Sequence, residues 1–245
     1  MRKTFLALVL GLCCLRLLSA GTLAAPTISA RRAIVTDALS GAALYEKDAD
    51  AQSRIASTTK ILTALVVAER CDPDEIVVIP PAAAGIKGSS MDLRAGERLT
   101  VRELLYGLLL VSGNDAAAAL AIHCAGSEAA FAALMNEKAR ELGAADSRFV
   151  NPHGLDAEGH FSTARDLTKI AAAAMDNPLL REITSTKRAQ IGDRTLVNHN
   201  KLLWRGQDVV GVKTGYTRAA GRILVSAAER DGRRLIAVTI DDPDD

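Results

Sequence analysis

The chain is poor in aromatic residues: one tryptophan, three tyrosines and four phenylalanines make up 3% of its 245 positions. So few flat faces argue against stacking platforms for bases or sugars. It also lacks an excess of either charge, with 30 Lys and Arg against 29 Asp and Glu, a formal net charge of +1. Nucleic-acid binders usually carry a basic excess or stripe, so no nucleic-acid partner is expected. Cysteine is scarce, at four residues. Cys71 and Cys124 have no cysteine or histidine at metal-ligand spacing, although His123 adjoins Cys124, so neither a metal nor a cofactor is expected. Internal repeats, low-complexity tracts and long linkers are absent as well. The 49% hydrophobic content, dominated by Ala and Leu, fits a helix-rich packed core.

Only one long apolar run occurs, Phe5 to Leu18, behind the basic start Met1-Arg2-Lys3 and ahead of small residues ending in Ala24 and Ala25. That layout predicts a secretory signal peptide over residues 1–25 and an exported chain. Arg16 interrupts the run, which falls short of the roughly 20 apolar residues that a membrane span needs. No membrane anchor is visible elsewhere. Cys13 and Cys14 would leave with the signal, while Cys71 and Cys124 would remain, either paired or as small buried residues. Residues 26–245 then form the working domain.

Weak alternation over Arg32 to Asp37 and Ala42 to Glu46, around Ser40-Gly41, predicts a hairpin. Ser57 to Arg70 turns helical, with Ile61, Leu62, Leu65 and Val66 on one side. A short strand is expected at Glu75 to Ile79 and irregular chain from Pro80 to Gly96. Thr100-Val101-Arg102-Glu103 has the form of a capping box opening an apolar helix. That helix stops at Ser112-Gly113-Asn114, and Asp115 is expected to cap the next one, Ala116 to Ala125. Further helices are predicted over Glu128 to Leu142, closed by Gly143, and from Ser162 to about Met175. Val209 to Thr217, Arg222 to Glu229 and Arg233 to Ile240 read as consecutive strands, with Asp231-Gly232 as a tight turn. Strands at both ends and helices between them predict an α+β fold: one antiparallel sheet flanked by helices, with an inserted helical lobe.

Three short patterns carry chemistry. Ser57 and Lys60 stand three apart at a helix start, on one face. A serine hydroxyl becomes nucleophilic when a neighbouring base takes its proton. Lysine can be that base if burial or a nearby cation makes its neutral form accessible. Ser112-Gly113-Asn114 presents a hydroxyl and an amide from a turn between two rigid helices. Lys213-Thr214-Gly215 lies in a strand and offers a cation and a hydroxyl, while Gly215 marks a close approach to the backbone. Taken singly, each has an ordinary explanation: a helix cap, a helix-breaking turn, a charged edge strand.

Together, in this order and each in the matching local structure, the three resemble the motif set of penicillin-recognising serine enzymes. Ala56-Ser57-Thr58-Thr59-Lys60, Gly88-Ser89-Ser90-Met91, Ser112-Gly113-Asn114-Asp115-Ala116 and Asn151-Pro152-His153-Gly154-Leu155 extend the likeness. So do His160-Phe161-Ser162-Thr163-Ala164-Arg165-Asp166 and Gly211-Val212-Lys213-Thr214-Gly215-Tyr216-Thr217. From about residue 30 onward the chain looks like a low-molecular-mass D-alanyl-D-alanine carboxypeptidase, which implies a β-lactamase/DD-peptidase-like fold. The resemblance implies that Ser57 attacks the carbonyl between the last two D-alanines of a peptidoglycan stem peptide. It implies Lys60 as general base and Ser112, linked to Lys60 and Lys213, as proton relay. Asn114 would hold the substrate backbone, Lys213 and Thr214 its terminal carboxylate. The backbone amides of Ser57 and Tyr216 would form the oxyanion hole. β-Lactams would acylate Ser57 as covalent inhibitors, and the expected location is the periplasm or outer face of a bacterial envelope.

His153 and His160 read as structural, Asn198, His199 and Asn200 as cleft-lining, and Arg218 and Arg222 as sources of positive potential or solvated surface. A β-lactamase is the nearest rival. It is disfavoured because no Glu-x-x-x-Asn stands where a deacylating glutamate would fall, and because the second motif reads Ser-Gly-Asn rather than Ser-Asp-Asn. A catalytically silent wall-binding protein is the other rival, disfavoured because all the reactive side chains are present. The chain stops at Asp241-Asp242-Pro243-Asp244-Asp245, where the resembled family usually continues into a helix. The catalytic domain is therefore expected to be truncated and marginally stable.

Overall fold

The structure, a computed structural model, describes residues 26–244; the expected signal segment lies outside the described residues. Strand β1 (Arg32–Asp37) turns into β2 (Ala43–Lys47). The Asp37 carboxylate accepts from the amides of Leu39 and Ser40, and Gly41 takes a left-handed φ of +70°. A single 3-10 turn, Ala56–Thr58, leads into α1 (Thr59–Arg70). The helix thus starts two residues later than its apolar pattern predicts. Ser57 therefore does not cap it, and no side chain caps either element.

Strands β3 (Ile76–Val78) and β4 (Arg98–Thr100) form a two-stranded ribbon that feeds α2 (Val101–Leu110). The capping box is as expected: Thr100 Oγ1 accepts from the Glu103 amide, and Glu103 accepts from the Thr100 amide. Three more helices follow: α3 (Asn114–Ala125), α4 (Glu128–Glu141) and α5 (Ala164–Asp176). Asp115 does not cap α3. It lies inside the helix, fully buried, and its carboxylate is turned to the 90–93 loop instead. The chain then makes α6 (Pro178–Ser185), the hairpin β5 (Arg188–Ile191) and β6 (Arg194–Val197), and a 3-10 turn at Lys201–Trp204. These pieces are too short to show a period, although Asn177 and Pro178 are a strong helix start and Asn177 Oδ1 does accept from Leu179 and Leu180. Strands β7 (Val209–Thr217), β8 (Gly221–Arg230) and β9 (Arg233–Asp242) end the chain.

The main sheet is antiparallel throughout, in the order β2-β1-β9-β8-β7. N- and C-terminal strands meet in one sheet, as the sequence predicts: β1 pairs with β9 from Arg32 opposite Ile240 to Asp37 opposite Leu235. Asp231 and Gly232 both have positive φ, which lets a two-residue turn follow the strand twist between β8 and β9. Ile34, Ile223, Val225, Ile236, Val238 and Ile240 bury one sheet face, against which α5 and α6 pack. α1 runs through the middle of the helical lobe and touches α2, α3, α4, α5 and α6. Nine of its twelve residues are buried, so its N-terminus is held from all sides. Among the described residues no single helix is long and apolar enough to cross a membrane.

Candidate active site

Ser57 sits in the 3-10 turn, half-buried, just after Ala56, whose φ is +44°. A left-handed conformation is costly for alanine, so something must hold it. A chain of hydrogen bonds does. The Val150 amide donates to His160 Nδ1 (3.1 Å), which leaves Nε2 to carry the proton. Nε2 donates to Thr59 Oγ1 (2.8 Å), and that hydroxyl donates to the Ala56 carbonyl (2.8 Å). Burial lowers the His160 pKa to about 4, so the ring stays neutral and keeps this polarity. Gly154 presses on the same carbonyl; a Cβ there would stand 1.9 Å from Ala56 O.

Lys60, one turn on, is fully buried, with its Nζ 3.1 Å from Ser57 Oγ. It also donates to Asn114 Oδ1 (2.7 Å) and to the His153 carbonyl (2.6 Å). Its pKa is pushed well below the usual lysine range, first by burial and second by the charge of Lys213, with Asp115 opposing. Desolvation favours the neutral amine, and a neutral amine beside a hydroxyl is a general base. Ser112 lies at a left-handed φ of +63°, nearly buried, and lines the same cleft as Ser57. Its Oγ has no hydrogen-bond partner, so the expected links from Ser112 to Lys60 and Lys213 are not made here. Asn114 does not line the cleft. Its Oδ1 is taken by Lys60 and its Nδ2 donates to Lys87 O (2.7 Å). In this geometry the residue positions Lys60 rather than reaching the cleft.

The sheet brings the third motif. β7 is an edge strand, and Gly215 passes so close to the Ser57 turn that a Cβ would stand 3.2 Å from both Ile55 O and Thr58 N. The close approach that Gly215 suggests in the sequence is therefore to the backbone of the turn that carries Ser57. Thr214 and Tyr216 face the cleft. Lys213 is buried, its Nζ donating to Thr214 O (3.0 Å), and burial lowers its pKa to about 7. An arriving carboxylate would favour its charged form.

Ser57, Ser112, Thr214, Gly215 and Tyr216 border a cleft of about 520 Å³ that is also lined by Ser89, His199, Asn200, Lys201, Arg205 and Arg222. His199 and Asn200 lie where the sequence suggests, and Asn200 Nδ2 is buried without a partner. Asn198 instead donates to Thr184 O and Thr186 O beneath the cleft. Arg222 reaches the cleft, 6.0 Å over the Tyr216 ring, while Arg218 does not. Two contributors stand in family-like segments of the sequence but have no site role assigned from it. Ser89 borders the cleft because its carbonyl accepts from the Asn114 amide (2.7 Å). Asp115 holds the loop that presents Ser89, accepting from Ser90 Oγ (2.6 Å), Met91 N, Leu93 N (3.0 Å) and Ala116 N. An acid next to the Ser-Gly-Asn turn reads as a helix cap until the loop is seen. Among the described residues no group of three or more His, Cys, Asp and Glu side chains could hold a metal ion.

Residues 19–244 match the family model described as D-alanyl-D-alanine carboxypeptidase. The chain is similar to D-alanyl-D-alanine carboxypeptidase DacB2 of Mycobacterium tuberculosis, 41% identical over 89% of this chain and 76% of that protein. It is also similar to DacF of Bacillus subtilis, 37% identical over 85% of this chain, and to DacC of Escherichia coli, 38% identical over 89%. The chain spans a little over half of those two proteins, 56% and 58%. Its structure is similar to the crystal structure of the M. tuberculosis H37Rv carboxypeptidase, with a TM-score of 0.86, 40% identity and coverage of 90% of this chain and 86% of that one. The Streptomyces K15 DD-transpeptidase is similar too, with a TM-score of 0.85, 35% identity and coverage of 89% and 92%.

Proposed function

Because the chain belongs to the D-alanyl-D-alanine carboxypeptidase family, we propose that it removes the terminal D-alanine from peptidoglycan stem peptides through an acyl-enzyme on Ser57. One observation carries the reading: a fully buried, neutral-leaning Lys60 amine lies 3.1 Å from the hydroxyl of Ser57, which lines an open cleft. Ser57 Oγ attacks the carbonyl carbon of the penultimate D-alanine as Lys60 takes its proton. The backbone amides of Ser57 and Tyr216 receive the oxyanion. Ser112, whose hydroxyl has bonding capacity to spare, passes a proton to the leaving amine, and D-alanine departs. Thr214 and a charged Lys213 take the substrate's terminal carboxylate. Water then cleaves the ester and returns the proton to the serine. A β-lactam acylates the same oxygen by opening its ring. Ser57, Ser112, Thr214 and Gly215 of the motif set line the cleft, and Lys60, Asn114 and Lys213 lie buried behind them. The reading places the reaction outside the cytoplasmic membrane, in the periplasm or on the outer face of the envelope.

The test is incubation of the purified protein with a pentapeptide stem and measurement of released D-alanine, alongside labelling by a fluorescent penicillin. Release of one D-alanine per peptide and a label lost in Ser57→Ala are expected. Fast turnover of a chromogenic cephalosporin without a stable adduct would make the protein a β-lactamase instead. Labelling of Ser57→Ala at the wild-type level would refute the mechanism.

A further inference from the structure

Helices α1 and α3 lie side by side and start at the same place, where Lys60 Nζ donates to Asn114 Oδ1. From Lys60 to Cys71 is eleven residues and from Asn114 to Cys124 is ten, so both helices carry the chain about 15–17 Å from the site. At that far end the Cys71 and Cys124 thiols lie within hydrogen-bonding reach of each other. Both are half-buried against the core, and both are free. Cys71 ends α1, its amide bonded to Val67 O, and Cys124 stands in the last turn of α3. His123, next to Cys124 in the chain, faces Glu75 at 3.3 Å.

We propose that Cys71 and Cys124 are a cross-linking site, at which a disulfide oxidant joins the two sulfurs and ties the far ends of the helices that carry Lys60 and Asn114. Cys124 is the first nucleophile, because the neighbouring Cys71 lowers its pKa while that of Cys71 itself moves up. The Cys124 thiolate attacks one sulfur of the oxidant, and a thiol leaves with one proton. Cys71 then gives up its proton and displaces the second thiol. Two electrons pass from the protein sulfurs to the oxidant's disulfide bond, which becomes two thiols. The link closes a loop of roughly fifty residues, so it removes freedom chiefly from the unfolded chain. The site requires nothing of the peptidase reaction.

Oxidised glutathione is the probe. The full chain is treated with it at neutral pH without denaturant, digested, and mapped by mass spectrometry. This identifies each cysteine by its peptide and keeps Cys13 and Cys14 apart. A Cys71–Cys124 linked peptide is expected, together with a melting temperature roughly 8–16 °C above that of the dithiothreitol-treated protein. Cys71→Ser and Cys124→Ser should each melt at the same temperature with and without reductant. Cys71 and Cys124 that remain open to alkylation, glutathione adducts on either without the link, or a linked protein whose melting temperature does not rise would each overturn the proposal.

Discussion

Gly154→Ala tests whether the position of Ser57 depends on the Ala56 carbonyl. Gly154 has a φ of +85°, and a Cβ on it would stand 1.9 Å from Ala56 O, 2.5 Å from Ala56 C and 2.8 Å from Thr59 Oγ1. Carbon and carbonyl oxygen are in ordinary contact at about 3.3 Å, so one backbone must retreat by more than about 1 Å. The left-handed conformation adds about 1–2 kcal/mol for alanine. Ala56 has little freedom to yield, since the His160–Thr59 chain also fixes its carbonyl. A shift of about 1 Å at a reacting group costs on the order of 100-fold in rate, equivalent to about 2.7 kcal/mol. The assay is the second-order rate of acylation by a fluorescent penicillin, with the melting temperature read on the same sample. Gly143→Ala is the control: its φ is +70° but nothing lies within 4 Å of the added carbon. It should lose roughly 2–8 °C of melting temperature and acylate at the wild-type rate. Gly215→Ala, at 3.2 Å from the same turn, should fold and lose about tenfold. If Gly154→Ala acylates within about threefold of wild type, or if Gly143→Ala slows as much, the turn does not set the nucleophile as described.

Lys213 is charged below about pH 7 in the free protein and neutral above it. The KM for a stem peptide should therefore rise as pH climbs past that point, a rise that the same peptide with an esterified C-terminal carboxyl should not show in its KM. The same shift predicts stability. An unfolded lysine titrates near 10.5 and the folded one near 7, so between those values the unfolded chain holds more protons and stability rises with pH. A denaturation midpoint that falls between pH 7 and 9.5 would contradict this. Asp115→Asn keeps the shape but loses the charge that holds four donors; a loss of about 2–4 kcal/mol is expected, with tryptic cleavage appearing after Lys87. A variant as stable and as protease-resistant as wild type would refute that role. His160→Ala breaks the chain to Ala56 and should slow acylation about tenfold. His153→Ala should not, because Lys60 uses only the His153 backbone carbonyl; equal rates in the two would refute the chain.

The main sheet and the larger helices are legible in the sequence because each buries a face long enough to show its period, as α1 does with Ile61, Leu62, Leu65 and Val66. The antiparallel order follows from strands at both ends of the chain. β4, the β5–β6 hairpin and α6 escape notice because elements of three to eight residues show too little of a period. Ser57, Lys60, Ser112, Asn114, Lys213 and Thr214 are found by motif, since their residue types and order are unusual together. Their roles in the geometry are less legible. The sequence presents Asn114 as a substrate contact, while the fold spends its amide on Lys60 and Lys87. Asp115 and His160 are invisible as site residues because they act through contacts 22–25 and 101 residues away in the chain.

Two lysines buried within one site are costly, and their arrangement shows how the cost is used. Burial is the larger cause of the Lys60 shift and the charge of Lys213 the smaller, while burial alone lowers Lys213. Asp115, the buried carboxylate that opposes the Lys60 shift, is occupied by four donors of its own and makes no contact with either amine. The surroundings thus favour the neutral base before any substrate arrives, which is the form that proton abstraction from Ser57 requires. Lys213 is poised differently: near neutrality it exchanges its proton readily, and a carboxylate at Thr214 stabilises the charged form. Charging Lys213 then reinforces the neutrality of Lys60. In the proposed mechanism, recognition of the terminal carboxylate and activation of Ser57 are coupled through this one electrostatic term, with β7 and α1 held together by the Gly215 contact on the Ser57 turn.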